Sequence, residues 1–138
     1  MAFTGELAVI TGGGSGMGQA WARRLAGEGA TVAILDLNDE GMAATASGFT
    51  NVHRFSVDIT DAQAVRVAFA DIEAQLGPVA RVANAAAIMP FGRLVDEDPD
   101  LTNKVMAVNY GGLANVATAA LPAMLERGYG DFISFSSM

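Results

Sequence analysis

A glycine-rich stretch, TGGGSGMG at residues 11–18, holds the residues best suited to chemistry. Glycine lets backbone amides approach a phosphate closely, and a helix that begins there adds unpaired N–H groups and a favourable dipole. The stretch lies between a strand-like run and a helix-like run, as in dinucleotide-binding sites. We predict that the amides of residues 12–18 surround a diphosphate, and a tight turn without a ligand is the alternative. The residues assigned to this site are Gly12, Ser15, Gly16, Met17 and Gly18.

Asp36 ends the next strand-like run, roughly twenty residues after the glycines, where dinucleotide-binding proteins place the acid that binds the adenosine ribose. Its carboxylate would repel a 2'-phosphate, and no Arg or Lys follows it, since Leu37 and Asn38 come next. We therefore expect NAD to be preferred over NADP, with Asp36 and Leu37 in the cofactor site. The alternative for Asp36 is a solvated charge or a cap on the following helix.

Apolar runs of strand length alternate with segments of helical period, which indicates an α/β fold with βαβ units around a parallel sheet. The predicted strands are 6–11, 31–36, 52–58, 80–87 and 131–137. The predicted helices are 17–29, 38–49, 60–77 and 98–128. Pro122 is expected to kink the last helix, and residues 88–98 are predicted as a loop near the carboxyl ends of the strands.

Size and charge limit the classes of function. The 138 residues suffice for one core, so we interpret residues 1–138 as a single domain. A net charge of -7, with eight scattered basic residues, disfavours a nucleic-acid partner. No apolar run is long enough to cross a bilayer and no secretory signal is visible, which favours the cytoplasm. The chain has no cysteine, and the lone His53 is more typical of a structural residue than of a metal ligand, so no metal site is expected.

The order and separation of six short motifs resemble the short-chain dehydrogenase/reductase family. These motifs are TGGGSGMG, LDL, VDIT, NAAA, VNYGG and ISFSS. The resemblance implies a Rossmann-like, doubly wound parallel sheet of about five strands in the order 3-2-1-4-5, with helices on both faces. It also implies that Asp58 and Ile59 contact the adenine ring, that Asn84 braces the central sheet, and that Ala86 and Ala87 line the cofactor.

The resemblance further assigns two residues to catalysis. Asn109 matches the asparagine that perturbs a helix and holds a water in a proton relay, and Ser137 matches the serine that binds the substrate carbonyl or hydroxyl. The family's acid/base is a tyrosine followed four residues later by a lysine, and it comes after that serine. The tyrosines Tyr110 and Tyr129 and the lysine Lys104 do not form such a pair, and packing in the core is the expected role of Tyr110.

Three functions remain open at this point. The chain is the N-terminal part of an NAD-dependent oxidoreductase that interconverts a secondary alcohol and a ketone, or a module that binds NAD without turnover, or a non-catalytic fragment that assembles with other chains. We expect the second for these residues alone, because the tyrosine and lysine are missing. The sheet is then incomplete at its C-terminal edge, and self-association is expected through residues 131–137 or through the helix at 98–128.

Overall fold

Five parallel strands form one sheet in the order β3-β2-β1-β4-β5 in the computed structural model, which describes residue 3 and residues 5–136. The predicted strand order and the α/β class are confirmed. The strands are β1 Leu7–Thr11, β2 Thr31–Asp36, β3 Val52–Ser56, β4 Val79–Asn84 and β5 Asp131–Ser134. The α-helices are α1 Gly16–Gly27, α2 Asp39–Ala46, α3 Ala62–Leu76, α4 Pro99–Met106 and α5 Leu113–Arg127.

The central strands are buried on both faces, which explains their nearly continuous apolar sequences. Every residue of β1 is buried, and its residue Val9 pairs with Ala33 of β2 on one side and with Val82 of β4 on the other. Successive side chains of a strand point to opposite faces, so the two faces carry separate cores.

Helices cover both faces of the sheet, as a doubly wound fold requires. One core lies under α1 and α2 and includes Ile10, Ile34, Leu25 and Met42. The opposite core lies under α3 and α5 and includes Val9, Leu35, Phe69, Ile72, Val116 and Met124. The crossover from β3 through α3 to β4 returns the chain to the other side of β1, so the winding direction changes between β1 and β4.

Side-chain caps begin three of the helices. Asn38 accepts a hydrogen bond from the Gly41 amide at the start of α2, and Asp61 accepts two at the start of α3. Asp98 accepts one from the Asp100 amide at the start of α4. Such caps contribute about 1 kcal/mol each by satisfying amides that lack a partner within the helix. Helix α1 has no side-chain cap bond, and no acidic residue lies in its first turn.

The helical stretch predicted at 98–128 is interrupted by a π-helical segment, Ala107–Gly112, between α4 and α5. Helix α5 continues through Pro122, which has no amide to donate, and the kink expected there stays a prediction. The loop predicted before α4 contains one 3₁₀ turn, Leu94–Asp96.

Strands β4 and β5 end three residues before their predicted ends at 87 and 137. Strand β4 ends at Asn84, because the Ala86 amide donates to the Thr11 hydroxyl instead of continuing the ladder. Strand β5 ends at Ser134, and Phe135 packs edge-on against the ring of Trp21 from α1 at 5.7 Å between centroids. None of the helices in the described part of the chain is long and apolar enough to cross a membrane.

Candidate nucleotide-binding site

A cavity of about 450 Å³ opens at the carboxyl ends of the strands, between β1 and β4, where the winding direction changes. Ligands of doubly wound sheets bind at this place because the loops after neighbouring strands diverge there and leave a crevice. The cavity is lined by Gly12, Ser15, Gly16, Met17, Gly18, Leu35, Asp36, Leu37, Val57, Asp58, Ile59, Ala85, Ala86, Ala87, Ile88, Lys104 and Val108. Most residues predicted from the sequence for the cofactor site therefore share one wall.

Four positions of the glycine-rich turn have no room for a side chain, since a Cβ on Gly12, Gly13, Gly14 or Gly18 would lie less than 3.0 Å from another atom. Gly12 has φ +69, and a Cβ there would lie 2.8 Å from the Cα of Ala86. A Cβ on Gly18 would overlap the carbonyl oxygen of Gly12, since the first turn of α1 packs directly on the end of β1. Glycine at these positions lets the turn, α1 and the chain after β4 meet at the base of the cavity.

The amides of the turn are not all available to a ligand. Gly12 and Gly13 donate to the carbonyl oxygen of Leu35, at 2.8 and 3.3 Å. Gly14 donates to Oδ2 of Asp36 at 2.8 Å. The amides of Gly12, Gly13 and Gly14 are thus hydrogen-bonded within the protein. The predicted diphosphate site at residues 12–18 is therefore limited to the amides that follow Gly14. Sequence spacing alone does not distinguish the two groups.

The start of α1 faces the cavity without a cap. The first amides of a helix have no acceptor within it, and here no side chain supplies one. Ser15, Gly16, Met17 and Gly18 lie in the cavity wall, and Met17 is 61% exposed. The helix dipole and these amides together favour an anion at this end of the cavity.

Asp36 lies in the wall beside this helix start, and both oxygens of its carboxylate accept backbone hydrogen bonds. Oδ2 accepts from Gly14, and Oδ1 accepts from the Asn38 amide at 3.0 Å. Leu37 is 64% exposed and lies next to it in the wall. A charged carboxylate is therefore held with fixed orientation, and each oxygen has lone pairs left for the hydroxyls of a ligand.

Asp58 and Ile59, which follow β3, line the cavity beside the end of β2, since the Val57 amide donates to the Asp36 carbonyl oxygen at 3.2 Å. Hydrogen bonds from Thr60, through its hydroxyl at 2.7 Å and its amide at 2.9 Å, hold the pKa of the Asp58 carboxyl below its usual 3.8. Partial burial opposes this, and Lys104 lowers the pKa further by charge attraction. Lys104 is the only basic residue in the described cavity wall, and the sequence analysis did not assign it there.

Asn84 does not line the cavity, although its neighbours do. It is buried, and its Oδ1 accepts a hydrogen bond from the Thr11 hydroxyl at 3.0 Å. The same hydroxyl accepts from the Ala86 amide at 3.1 Å, so Thr11 ties the end of β1 to the chain after β4. This contact braces the sheet and places Ala86 and Ala87 in the wall, whereas direct contact of Asn84 with a cofactor stays a prediction.

Asn109 does not line the cavity either, but it contacts a residue that does. Its amide group makes a two-way pair with the backbone of Ile88, accepting from the Ile88 amide at 2.9 Å and donating to the Ile88 carbonyl at 2.9 Å. Asn109 lies within the π-helical segment, and Ile88 lines the cavity. The pair fixes the chain after β4 against the helix. The relay role predicted for Asn109 is not tested by this contact.

The remaining predicted residues lie elsewhere. Ser137 falls outside the described residues, so its assignment stays a prediction. Tyr110 is 69% exposed, and the expectation that it packs in the core was wrong. Its place in the π-helical segment turns the ring outward, which the α-helical period assumed for this stretch did not predict. Tyr129 is 50% exposed, the Arg127 guanidinium lies over its ring, and it does not line the cavity.

Comparison with known proteins gives a consistent assignment. A sequence model described as short chain dehydrogenase matches residues 6–138. The 2-dehydro-3-deoxy-L-rhamnonate dehydrogenase (NAD(+)) of Sphingomonas sp. (strain SKA58) is 36% identical over 137 residues, which is 99% of this chain and 55% of that protein. The 2-(S)-hydroxypropyl-CoM dehydrogenase 3 of Xanthobacter autotrophicus is 36% identical over 138 residues, 96% of this chain and 54% of that protein.

A solved structure agrees in both sequence and fold. The gluconate 5-dehydrogenase from Burkholderia cenocepacia J2315, in complex with NADP and tartrate, superimposes with a TM-score of 0.86 at 35% identity, covering 98% of this chain and 55% of that one. The chain spans about half the length of the curated relatives it matches. On its sequence, its sheet order and the position of its glycine-rich turn, the chain belongs to the short-chain dehydrogenase/reductase family of oxidoreductases.

Proposed function

We propose that residues 1–138 form a nucleotide-binding domain that holds a nicotinamide dinucleotide in the cavity at the β1–β4 crevice. The observation that carries this proposal is the uncapped start of α1, which lies in the cavity wall beside the Asp36 carboxylate. The amides after Gly14 would bind the diphosphate, and Asp36 would accept hydrogen bonds from the adenosine ribose. Asp58 and Ile59 would contact the adenine ring.

We propose further that NAD is preferred over NADP. A 2'-phosphate on the ribose would approach the Asp36 carboxylate, whose oxygens already hold two backbone amides and cannot turn away easily. Lys104 is the one cation in the described wall, and its charge acts on Asp58, whose pKa it lowers. The relatives differ in cofactor, since the Sphingomonas enzyme is named for NAD(+) and the Burkholderia structure contains NADP. The argument for NAD therefore depends on Asp36 of this chain.

The reaction proposed for the family site is oxidation of a secondary alcohol or reduction of the ketone. The nicotinamide supplies or accepts the hydride when it is bound. Ser137 would bind the substrate oxygen, and Asn109 would hold the chain after β4 in place. The general acid/base is not supplied by the described tyrosines, because neither Tyr110 nor Tyr129 lines the cavity. We therefore propose that these residues bind the dinucleotide without efficient turnover, since a missing acid/base costs roughly 10²–10⁴ in rate.

Titration with NADH tests this function. Reduced nicotinamide fluorescence should rise and shift on binding to the protein, and calorimetry with NAD should give a single site. A parallel assay with NAD and a panel of secondary alcohols should show no reduction of the cofactor above background. Absence of heat with millimolar NAD would contradict binding, and measurable turnover would favour the enzyme over the binding module.

Two further properties are proposed for this chain. Self-association is supported by the position of β5 at the edge of the sheet. A cytoplasmic location is also proposed, and a sequence without cysteine is compatible with a reducing compartment.

A further inference from the structure

The turn that carries the proposed diphosphate site lies against α2, and one buried side chain joins the two. Thr45 of α2 is fully buried. Its hydroxyl lies 2.7 Å from the carbonyl oxygen of Gly13 in the turn and 2.9 Å from that of Gly41 in its own helix. Thr45 does not line the cavity, so any effect it has on a ligand must pass through the turn.

A third contact orients this hydroxyl. The side-chain amide of Gln19, in the first turns of α1, donates to the Thr45 oxygen at 2.9 Å. A threonine hydroxyl has one proton and two lone pairs, so accepting from Gln19 leaves its proton directed at the two carbonyls. The shorter contact is to Gly13. Thr45 therefore connects the turn, α1 and α2 through a single buried group.

The contact fixes one peptide plane from both sides. The carbonyl of Gly13 and the amide of Gly14 belong to the same peptide unit. The carbonyl accepts from Thr45, and the amide donates to the Asp36 carboxylate at 2.8 Å. This peptide unit turns about ψ of Gly13 and φ of Gly14, and glycine itself restricts neither angle, so the two hydrogen bonds fix its orientation. The next residue is Ser15, from which the free amides of α1 begin.

We infer that Thr45 is a positioning residue for the dinucleotide site: its hydroxyl holds the Gly13–Gly14 peptide so that the amides at the start of α1 point at the diphosphate. The inference rests on the proposed function. It assigns to α2 a part in binding that the cavity wall does not reveal. The Asp36 carboxylate would hold the same peptide from the ribose side, so the two halves of the site are oriented together.

The test compares a ligand that carries the diphosphate with one that does not. ADP-ribose and adenosine are titrated by calorimetry into the wild type, Thr45→Val and Thr45→Ser. Valine has nearly the shape of threonine without the hydroxyl. Loss of one hydrogen bond to the turn should weaken ADP-ribose binding by roughly two- to tenfold. Adenosine affinity should stay unchanged, and Thr45→Ser should restore ADP-ribose binding to the wild-type value.

Controls separate positioning from general loss of stability. Thr118→Val removes a hydroxyl that bonds within its own helix on the exposed side of α5, and it should change neither affinity. Gln19→Met keeps Thr45 and removes only the group that orients its proton, so it should weaken ADP-ribose binding in the same direction by a smaller factor. This variant carries the test if Thr45→Val does not fold.

The possible outcomes distinguish failure of this inference from failure of the proposed dinucleotide binding. A wild type that binds neither ADP-ribose nor adenosine overturns the proposed function together with the inference. If the wild type binds ADP-ribose and the Thr45→Val and Gln19→Met variants bind it equally well, the inference alone is wrong. An equal loss of affinity for both ligands also overturns it, because that pattern indicates damage to the whole site.

Discussion

At the scale of single residues, the Asp36 carboxylate lies in the cavity wall and also holds the backbone around it, whereas the cap of α2 that the sequence offered as its alternative role belongs to Asn38. It lies at the end of β2 in the cavity wall, as a ribose ligand must. It also accepts the amides of Gly14 and Asn38, so it holds the glycine-rich turn and the residue before α2. We therefore expect a substitution at this position to change both the proposed recognition of the ribose and the shape of the proposed diphosphate site.

The first prediction concerns the charge of Asp36. Asp36→Asn preserves the shape of the side chain and removes its charge, so NAD affinity should fall by roughly tenfold or more, since hydrogen bonds to a charged group are the stronger ones. The discrimination against NADP should shrink at the same time. Calorimetry with both cofactors measures this. Asp39→Asn, an exposed neighbour in the first turn of α2, is the matched control. Unchanged NAD affinity in Asp36→Asn would remove Asp36 from the site.

The second prediction concerns the pH dependence at Asp58. Because the Thr60 hydroxyl is the largest cause of the lowered pKa, Thr60→Val should raise the pKa of Asp58 towards 3.8. Lys104→Met should raise it less, since charge attraction is the smallest contribution. Carboxyl carbon chemical shifts followed by NMR through an acid titration measure both values. A larger rise in Lys104→Met than in Thr60→Val would contradict this order.

The sign of the linked stability follows from the direction of the shift. A carboxyl whose pKa is lower in the folded protein stabilises the fold at pH values above 3.8, and this stabilisation disappears as the pH falls through the folded value. Thr60→Val should therefore lower the thermal unfolding midpoint at neutral pH, and the difference from the wild type should narrow in acid. Asp58 is well exposed, so solvent screening keeps this effect small.

At the scale of elements, the π-helical segment between α4 and α5 is held to the chain after β4 by the Asn109–Ile88 pair. A π segment inserts extra backbone into a helix and is frequently found at functional sites. Here it turns the Asn109 side chain towards Ile88 and leaves Tyr110 exposed. The segment thereby connects a helix on one face of the sheet to the cavity wall.

The third prediction tests this connection. Asn109→Ala removes both hydrogen bonds to Ile88, so the Ile88 amide should exchange with solvent roughly tenfold faster or more, in keeping with two net contributions of about 1 kcal/mol each. Hydrogen exchange followed by NMR provides the measurement. Asn103→Ala, at an exposed position of α4, should leave the Ile88 amide as it is. Equal exchange rates in both variants would show that the pair does not hold this loop.

The accuracy of the sequence predictions varied with the range of the interactions involved. Strand β2 was predicted with its observed bounds, 31–36, because its ends coincide with changes in local polarity. Strand β4 ended three residues earlier than predicted, since Thr11, distant in sequence, binds the Ala86 amide. The glycine-rich turn and Asp36 were placed by spacing. The positions of Thr45 and Lys104 could not be predicted from spacing. Only the packing of α2 brings Thr45 to the turn, and only the packing of α4 brings Lys104 to the cavity.

At the scale of the whole molecule, the sheet ends with the short strand β5. Its residues are exposed or half-buried, unlike those of β1, and the Arg81–Asp131 ion pair ties its start to β4. The outer side of a parallel edge strand carries backbone groups that can pair with another chain. The exposed surface of α4, the π-helical segment and α5 is the other candidate for contact between copies.

The fourth prediction distinguishes these two surfaces. Sedimentation velocity over a wide concentration range should show the wild type associating. Ser134→Lys places a charge on β5, and such charges block edge pairing, so this variant should remain a monomer if the edge is the interface. Leu125→Lys, at a position 78% exposed on α5, should have no effect in that case. The reverse pattern would assign the contact to the helices, and a monomeric wild type would exclude both.

The edge-on contact between Trp21 and Phe135 has an optical consequence. The chain has one indole, and it lies on the helix that starts at the cavity and touches the residue following the last strand. Reduced nicotinamide absorbs where indole emits, so dinucleotide docked at that helix would quench this emission by energy transfer. Displacement of the last strand would instead change the polarity around the Trp21 ring and shift its emission maximum. Trp21 therefore gives two separate signals: quenching reports the bound dinucleotide, and a shifted maximum reports rearrangement at the edge of the sheet.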